Sequence, residues 1–351
     1  MKKLLLVLLL LSLPFERIPS LEIFSVSIKL SSIAGLAIII RTFYLVLKKS
    51  LKPRQNFYLY VLLALIVWML LIIPEAINFY YGVSFLVFNT FTILLAICVS
   101  LIFKKHYIKP VFFAIIISGL IASAFAFYQY GADIIGVPIK YSGLLGLYTK
   151  KTFGFPRVHA FSAEPLQFAV FMMLPFTLAF SATVLKNRLL SGSVAALISA
   201  IFSSIIFLTL SRGGIYALFF VSMAGFMFAI FTKSTDFKRA TMAVSAILLG
   251  AALCFVIINC AKTPPSDFTN GKDGPSAYID HASDATLDKR DTRAKSRQIA
   301  IAEISKNLTT TVFGIGPGQY YPYVKSNMYV ADSPYLNNLT LALLLELGLP
   351  G

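Results

Sequence analysis

Apolar runs recur along almost the whole of this chain, near 3–14, 29–47, 57–74, 84–103, 108–129, 165–185, 189–210, 213–232, 241–261 and 334–350. A run of about 20 residues matches the hydrocarbon thickness of a bilayer. Backbone in hydrocarbon must satisfy its own hydrogen bonds, and a helix does so within one segment. The pattern predicts an all-α polytopic transmembrane bundle of about ten spans, the first of them short. Composition agrees: mean hydropathy is +0.79 and only 13% of residues are charged, against about 25% in soluble domains.

A net charge of +16 raises nucleic acid as a partner, and the placement of the charges argues against it. With Met1 in the cytoplasm, the cytoplasmic connections carry 14 basic residues and one acidic residue, Asp236. The long polar stretch from Lys262 to Ser333 carries nine basic and eight acidic residues. Most of the excess is therefore the positive-inside signature of a membrane protein, and it puts residues 262–333 outside the cytoplasm. The expected organisation is a bundle of about nine spans over 1–261, an extracytoplasmic loop over 262–333, and the start of a further span at 334–351. Met1-Lys-Lys and the run after it read as an uncleaved anchor, since Pro14-Phe-Glu-Arg-Ile-Pro19 lacks a small-residue cleavage site. Cys98, Cys254 and Cys260 lie in apolar spans at spacings that make no metal or redox motif, and read as core residues.

The long loop opens with turn punctuation at Thr263-Pro-Pro265, Asn270-Gly271 and Asp273-Gly-Pro275. A helix is predicted from Asp288 to Leu308. Arg290, Arg293 and Arg297 share one face at i, i+3 and i+7, and Ile301, Ile304 and Leu308 continue it. A stripe that is basic and then apolar is expected to lean on the membrane domain with its guanidinium groups facing something anionic. Phe313-Gly-Ile-Gly-Pro-Gly318 follows, where Gly316 and Gly318 would let the backbone turn sharply and approach a ligand. Tyr320, Tyr321 and Tyr323 have two readings, stacking on sugar rings or anchoring at the interface.

The second external segment, Tyr130 to Ala163, carries Arg157 and His159 and ends at Glu164-Pro165. Proline in the first turn of a helix behind an acid is ordinary helix-start chemistry, so Glu164 is either a cap or a functional carboxylate. Ser211-Arg-Gly-Gly214 turns the chain between two spans, and Arg212 there can present five donors to a phosphate, or simply anchor at the interface. Arg41 reads as a snorkelling side chain near the cytoplasmic Lys48. Asp280, His281 and Asp284 lack a fourth ligand at useful spacing and read as a solvated turn, so no metal site is expected. P-loop, HExxH and GxSxG patterns are missing from the sequence. It also shows no repeat of 20 to 50 residues and no matched pair of Gly/Pro-broken spans, which argues against a transporter.

Five segments taken in order resemble the O-antigen ligase and polymerase family of bacterial membrane glycosyltransferases. They are Pro14-Phe-Glu-Arg-Ile-Pro19, Arg157 ahead of Phe161-Ser-Ala-Glu-Pro165, Ser211-Arg-Gly-Gly214, Arg297 ahead of Phe313-Gly-Ile-Gly-Pro-Gly318, and Glu346-Leu-Gly-Leu-Pro-Gly351. The resemblance spans nearly the whole chain. It implies a GT-C type helical bundle in the bacterial cytoplasmic (inner) membrane, and a glycan on polyprenyl pyrophosphate as donor. It further implies no nucleotide sugar, metal or other cofactor, and as partners membrane lipids and other polysaccharide-assembly proteins. Ligases of the family begin the segment before the final glutamate with His-Asn, and here Asn337-Asn338 stands in that place. This departure favours the polysaccharide polymerase branch, with the ligase and a lipid-linked oligosaccharide flippase as alternatives. Family members continue past the final motif, so a longer protein is expected.

The chemistry points the same way. Breaking a sugar to pyrophosphate bond develops negative charge on the leaving phosphate, which preorganised guanidinium groups in a partly dry cleft stabilise. Arg157, Arg212 and Arg297 are the expected phosphate ligands, with Gly316, Gly318 and Asn337 as further substrate contacts. Glu164 or His159 would take the proton of the acceptor hydroxyl, Glu164 being preferred.

Overall fold

The computed structural model describes residues 2–17, 20–23, 26–50, 57–150, 155–185, 189–232, 236–260, 292–306, 308–320, 322–323 and 339–348. In chain order the helices are α1 (Lys2–Ser12), α2 (Leu30–Leu47), α3 (Phe57–Ile72), α4 (Phe79–Ile102), α5 (Ile108–Ile134), α6 (Ile139–Ser142), α7 (Pro165–Val184) and α8 (Gly192–Leu208). They continue with α9 (Arg212–Phe231), α10 (Phe237–Cys260), α11 (Thr292–Lys306), α12 (Leu308–Phe313) and α13 (Leu339–Leu347). Between α1 and α2 lies an antiparallel hairpin of β1 (Ser20–Ile23) and β2 (Val26–Lys29), which the apolar pattern did not announce.

Among the described residues six helices are long and apolar enough to cross a membrane, and α8 and the helical stretch Leu59–Glu75 are shorter apolar ones. The expected count of about ten spans is thus not confirmed by helix length among the described residues. At 1.5 Å per residue, the 11 residues of α1 reach only about half of a ~30 Å core. The count from hydropathy misses what ends a helix. Asn78 caps α4 by accepting the Tyr81 N–H, and Gly348, at φ +71°, stops α13 early.

The described residues form two compact units. The first holds α1, the hairpin, the start of α2 and α5 to α10; the second holds α2 from Ile38, α3, α4 and α11 to α13.

In the first unit, α8 packs against α7 and α10, and α5 against α1 and α7. Lipid tails are as apolar as a leucine core, so helices in a bilayer associate chiefly by close packing over small residues. Gly214 lies against Ala169, Gly119 against Pro175 and Phe202, and Gly250 against Ser203 and Ala200. The serines facing this core return their hydroxyls to their own helix, as Ser199 does to the Ala195 carbonyl at 2.8 Å and Ser203 to Ala200 at 3.0 Å. Phe168, Phe176, Phe180 and Phe202 fill the centre. At the far end of α7, Arg239 donates to the Leu185 carbonyl at 2.6 Å, meeting an acceptor left over at a helix C-terminus.

In the second unit, α3 packs on α4, and α11 and α12 pack on α13. The buried face of α11 runs through Ala300 and Ile304, whereas Ile301 is 53% exposed. Of the expected stripe, Ile304 packs inward while Ile301 and Arg297 are exposed.

Because a Cβ at residue 250 would overlap the Ser203 hydroxyl and crowd the Ala200 carbonyl at 2.8 Å, Gly250→Val should push α10 off α8. A loss of about 1–3 kcal/mol is expected, seen as a lower melting temperature in detergent, and a melting temperature equal to the parent's would refute this packing.

Candidate functional site

In the first unit, the segment between α5 and α7 is held from beneath by the buried amide of Gln129. Its Oε1 accepts the N–H groups of His159 (3.3 Å) and Ala160 (2.8 Å), and its Nε2 donates to the Ala160 carbonyl (3.0 Å). This grip keeps Ala160 at φ +46°, a left-handed conformation costly for a residue with a Cβ. His159 is fully buried. Its Nδ1 lies 2.8 Å from the Ser162 carbonyl, which can only accept, so Nδ1 carries the proton and Nε2 accepts the Leu145 N–H at 3.2 Å. Burial, then the nearby charge of Arg17, push its pKa down to about 4, against the opposing effect of the Ser162 carbonyl. The ring is therefore neutral at pH 7, with both nitrogens occupied in holding the segment.

Arg157 is placed by the end of α8. Its Nε donates to the Thr209 carbonyl and its Nη2 to the Leu210 carbonyl, both at 3.3 Å, while the guanidinium sits 5.7 Å from the centre of the Tyr148 ring. Leu210, at φ +53°, turns the chain sharply into α9. Ser211 caps α9 by accepting the Gly214 N–H at 3.3 Å, and Arg212 is the first residue of that helix. Gly213 and Gly214 lie against Leu166 and Ala169 of α7, so α7 and α9 start side by side. Glu164 stands immediately before α7 in extended conformation, with Pro165 behind it and no hydrogen bond from its side chain to the helix. Side-chain capping, one of the two readings of Glu164, is thus not what this carboxylate does here. Arg157, Arg212 and Glu164 come together at this end of the unit, a convergence that their separation in sequence concealed.

Arg17, given no role by sequence reasoning, belongs to the same region. Its backbone N–H donates to the Phe161 carbonyl at 2.8 Å and its Nη2 to the Gly143 carbonyl at 2.6 Å. Its family-like segment was the available signal.

The second unit joins two segments far apart in sequence, the glycine turn of 313–318 and the end of α13. The carboxylate of Glu346, only 7% exposed, accepts the N–H groups of Gly318 (3.1 Å) and Tyr320 (3.0 Å). The carbonyls of Leu345, Glu346 and Leu347, at the end of α13, accept from Ile315 (2.8 Å), Gly316 (3.1 Å) and the Trp68 indole (2.8 Å). Buried Gln319 fixes the turn to the start of α4 through the Asn78 N–H (2.7 Å) and carbonyl (3.0 Å). Gly314, Gly316, Gly318 and Gly348 all have positive φ. A Cβ on Gly314 or Gly348 would meet the backbone of Glu346 or Val312; on Gly316 it would meet Ala76, and on Gly318 Phe85 and Tyr81. The close approach these glycines permit is between protein segments. Arg297 is exposed on α11 of this unit, whereas Asn337, Arg290, Tyr321, Asp280, His281 and Asp284 lie outside the described residues.

Residues 194–351 match the model of a family described as O-antigen ligase. No curated protein and no solved structure matches the chain. The matched stretch is a little under half of the chain and takes in α8 from Val194 onward, α9, α10 and the whole of the second unit's α11 to α13.

The burial of His159 has a consequence for stability. A histidine whose pKa falls from 6.5 to about 4 on folding takes up its proton first in the unfolded chain. Stability should therefore decline as pH drops from about 6.5 towards 4 and level off below, by at most about 3 kcal/mol at 1.36 kcal/mol per pH unit. Thermal melts of the detergent-purified protein across that range should show the decline, and His159→Gln, though less stable at neutral pH, should lose this contribution to the slope; an unchanged slope in that variant would contradict the assignment.

Proposed function

We propose, from the family match of residues 194–351, that this chain polymerises polyprenyl-pyrophosphate-linked oligosaccharide repeat units into a surface polysaccharide at the outer face of the cytoplasmic membrane. The observation that carries this reading is the grip of the α8 carbonyls on Arg157 next to Arg212. Two guanidinium-bearing residues and the adjacent N-termini of α7 and α9 then supply positive charge and N–H dipoles at one spot, which suits a leaving pyrophosphate. The anomeric carbon to phosphate oxygen bond breaks and its electron pair goes to that oxygen, while the acceptor hydroxyl forms the new glycosidic bond and gives its proton to a base.

Glu164 suits the base better than His159, because its carboxylate makes no cap hydrogen bond whereas both imidazole nitrogens are engaged. His159 is then a positioning residue. Arg297 remains a proposed phosphate ligand on the strength of its exposure and the family resemblance. Gly316 and Gly318 shape the turn, and any substrate contact they make would be through their backbone. Ligase activity, transfer of the finished glycan to a lipid or protein acceptor, is the second reading, favoured by the description of the matching family model.

Purified full-length protein incubated with a polyprenyl-pyrophosphate oligosaccharide should give a ladder of glycan lengths on a gel; transfer to an added lipid or protein acceptor in place of a ladder would establish the ligase. Arg212→Lys and Arg297→Lys should each lose most activity at unchanged protein level, because a bidentate clamp needs guanidinium geometry as well as charge. Glu164→Gln should fall further than Asn337→Ala, which should stay within about tenfold, or about 1.4 kcal/mol of barrier. Tolerance of Lys at both arginines would sink the clamp.

A further inference from the structure

Arg17 lies outside the spans, in the turn that follows α1. Its neighbour Glu16 places its carboxylate 3.5 Å from Lys29 Nζ, and no ion pair holds Arg17 among the described residues. One arm of the guanidinium, Nη2, donates to the Gly143 carbonyl. The other, Nη1, is shielded from solvent and has no hydrogen-bond partner among the described residues. His159 feels the charge of Arg17 but cannot answer it, because Nδ1 is a donor and Nε2 is engaged with Leu145. Phe15, Phe161 and Phe125 stack in sequence beside this turn, with ring centres 4.7 Å and 4.2 Å apart, and offer no polar atom. Burial lowers the pKa of Arg17 from the ordinary arginine value, as expected of a cation in a partly dry setting.

A buried donor left unmade is costly, more so if charged, so a guanidinium kept in this state is poised for an acceptor that arrives. The acceptor should be anionic, since no carboxylate among the described residues pairs with this charge, and an oxyanion matches the planar fork. We propose that Arg17 is a further phosphate-binding residue, its Nη1 donating to an oxygen of the pyrophosphate whose departure Arg157 and Arg212 assist. The proposal rests on the polymerase reading for its lipid-linked form, whereas the recognition of a phosphate oxygen by Arg17 can be tested without it. The bonds to Gly143 and Phe161 hold the guanidinium in place for this task.

Isothermal titration of the purified full-length protein with polyprenyl pyrophosphate, inorganic pyrophosphate and polyprenyl alcohol tests the proposal. Arg17→Gln retains an N–H donor for Gly143 but removes the charge. It should weaken both pyrophosphate probes at least tenfold and polyprenyl alcohol less than twofold, and Arg17→Lys should recover part of the loss. Unchanged pyrophosphate binding in Arg17→Gln overturns the proposal, and so does an equal loss with all three probes, which would make Arg17 only a strap for the segment. If the parent protein binds inorganic pyrophosphate through Arg17 but not the lipid form, Arg17 keeps its role and the polymerase reading fails. If the parent binds the lipid form and Arg17→Gln binds it equally well, only the Arg17 proposal fails. Failure of the parent to bind either anion overturns both.

Discussion

The carbonyls at and just past the end of a helix have no partner within it, and both candidate regions of this chain are built on such carbonyls. Thr209 and Leu210, just past the end of α8, hold the guanidinium of Arg157. Leu345, Glu346 and Leu347, at the end of α13, hold the glycine turn and the Trp68 indole. In each unit a helix terminus that would otherwise need water becomes the fixed point of a polar segment. A polar site at the edge of a membrane bundle has to be built this way, since buried donors and acceptors left unmatched are costly.

The two anchors differ in what they secure. At α8 the anchored group is a cation, and these two carbonyls take two of the five N–H donors of its guanidinium. At α13 the anchored groups are backbone amides, and the Glu346 carboxylate takes two more of them; that arrangement is a brace. The same contrast separates His159 from Glu164. The imidazole is fully engaged in holding the segment between α5 and α7, while the carboxylate a few residues on makes no bond to the helix it precedes.

Much of the helical framework was legible because hydrophobic length speaks for a bilayer span: 29–47 was expected and Leu30–Leu47 is found, 165–185 and Pro165–Val184 likewise. The hairpin after α1 was hidden because its strands are four residues each, too short for a period to register. At the first of the predicted spans, 3–14, the short helix expected is α1, Lys2–Ser12. In the candidate site, Arg157 and Arg212 were legible as residue types in external turns. Their convergence was not, since it depends on a carbonyl that only the fold brings to the arginine. The glycines of 313–318 suit close approach by a ligand or by another segment of the chain, and the φ values and neighbours place Glu346, Ala76 and Phe85 at such an approach. Periodicity cannot tell these apart, because both uses need the same missing Cβ.

The account stands on chemistry performed outside the cytoplasm, at the face where the segment before α7 and the 262–333 loop are expected to lie. In a cysteine-free background, Leu147→Cys, at an exposed position of that segment, and Ser283→Cys, in the long loop, should both react with a membrane-impermeant thiol reagent in intact cells whose outer membrane, if there is one, has been permeabilised. Ser234→Cys, in the connection between α9 and α10, should react only after lysis. Labelling of Ser234→Cys in intact cells with protection of the other two would contradict the account.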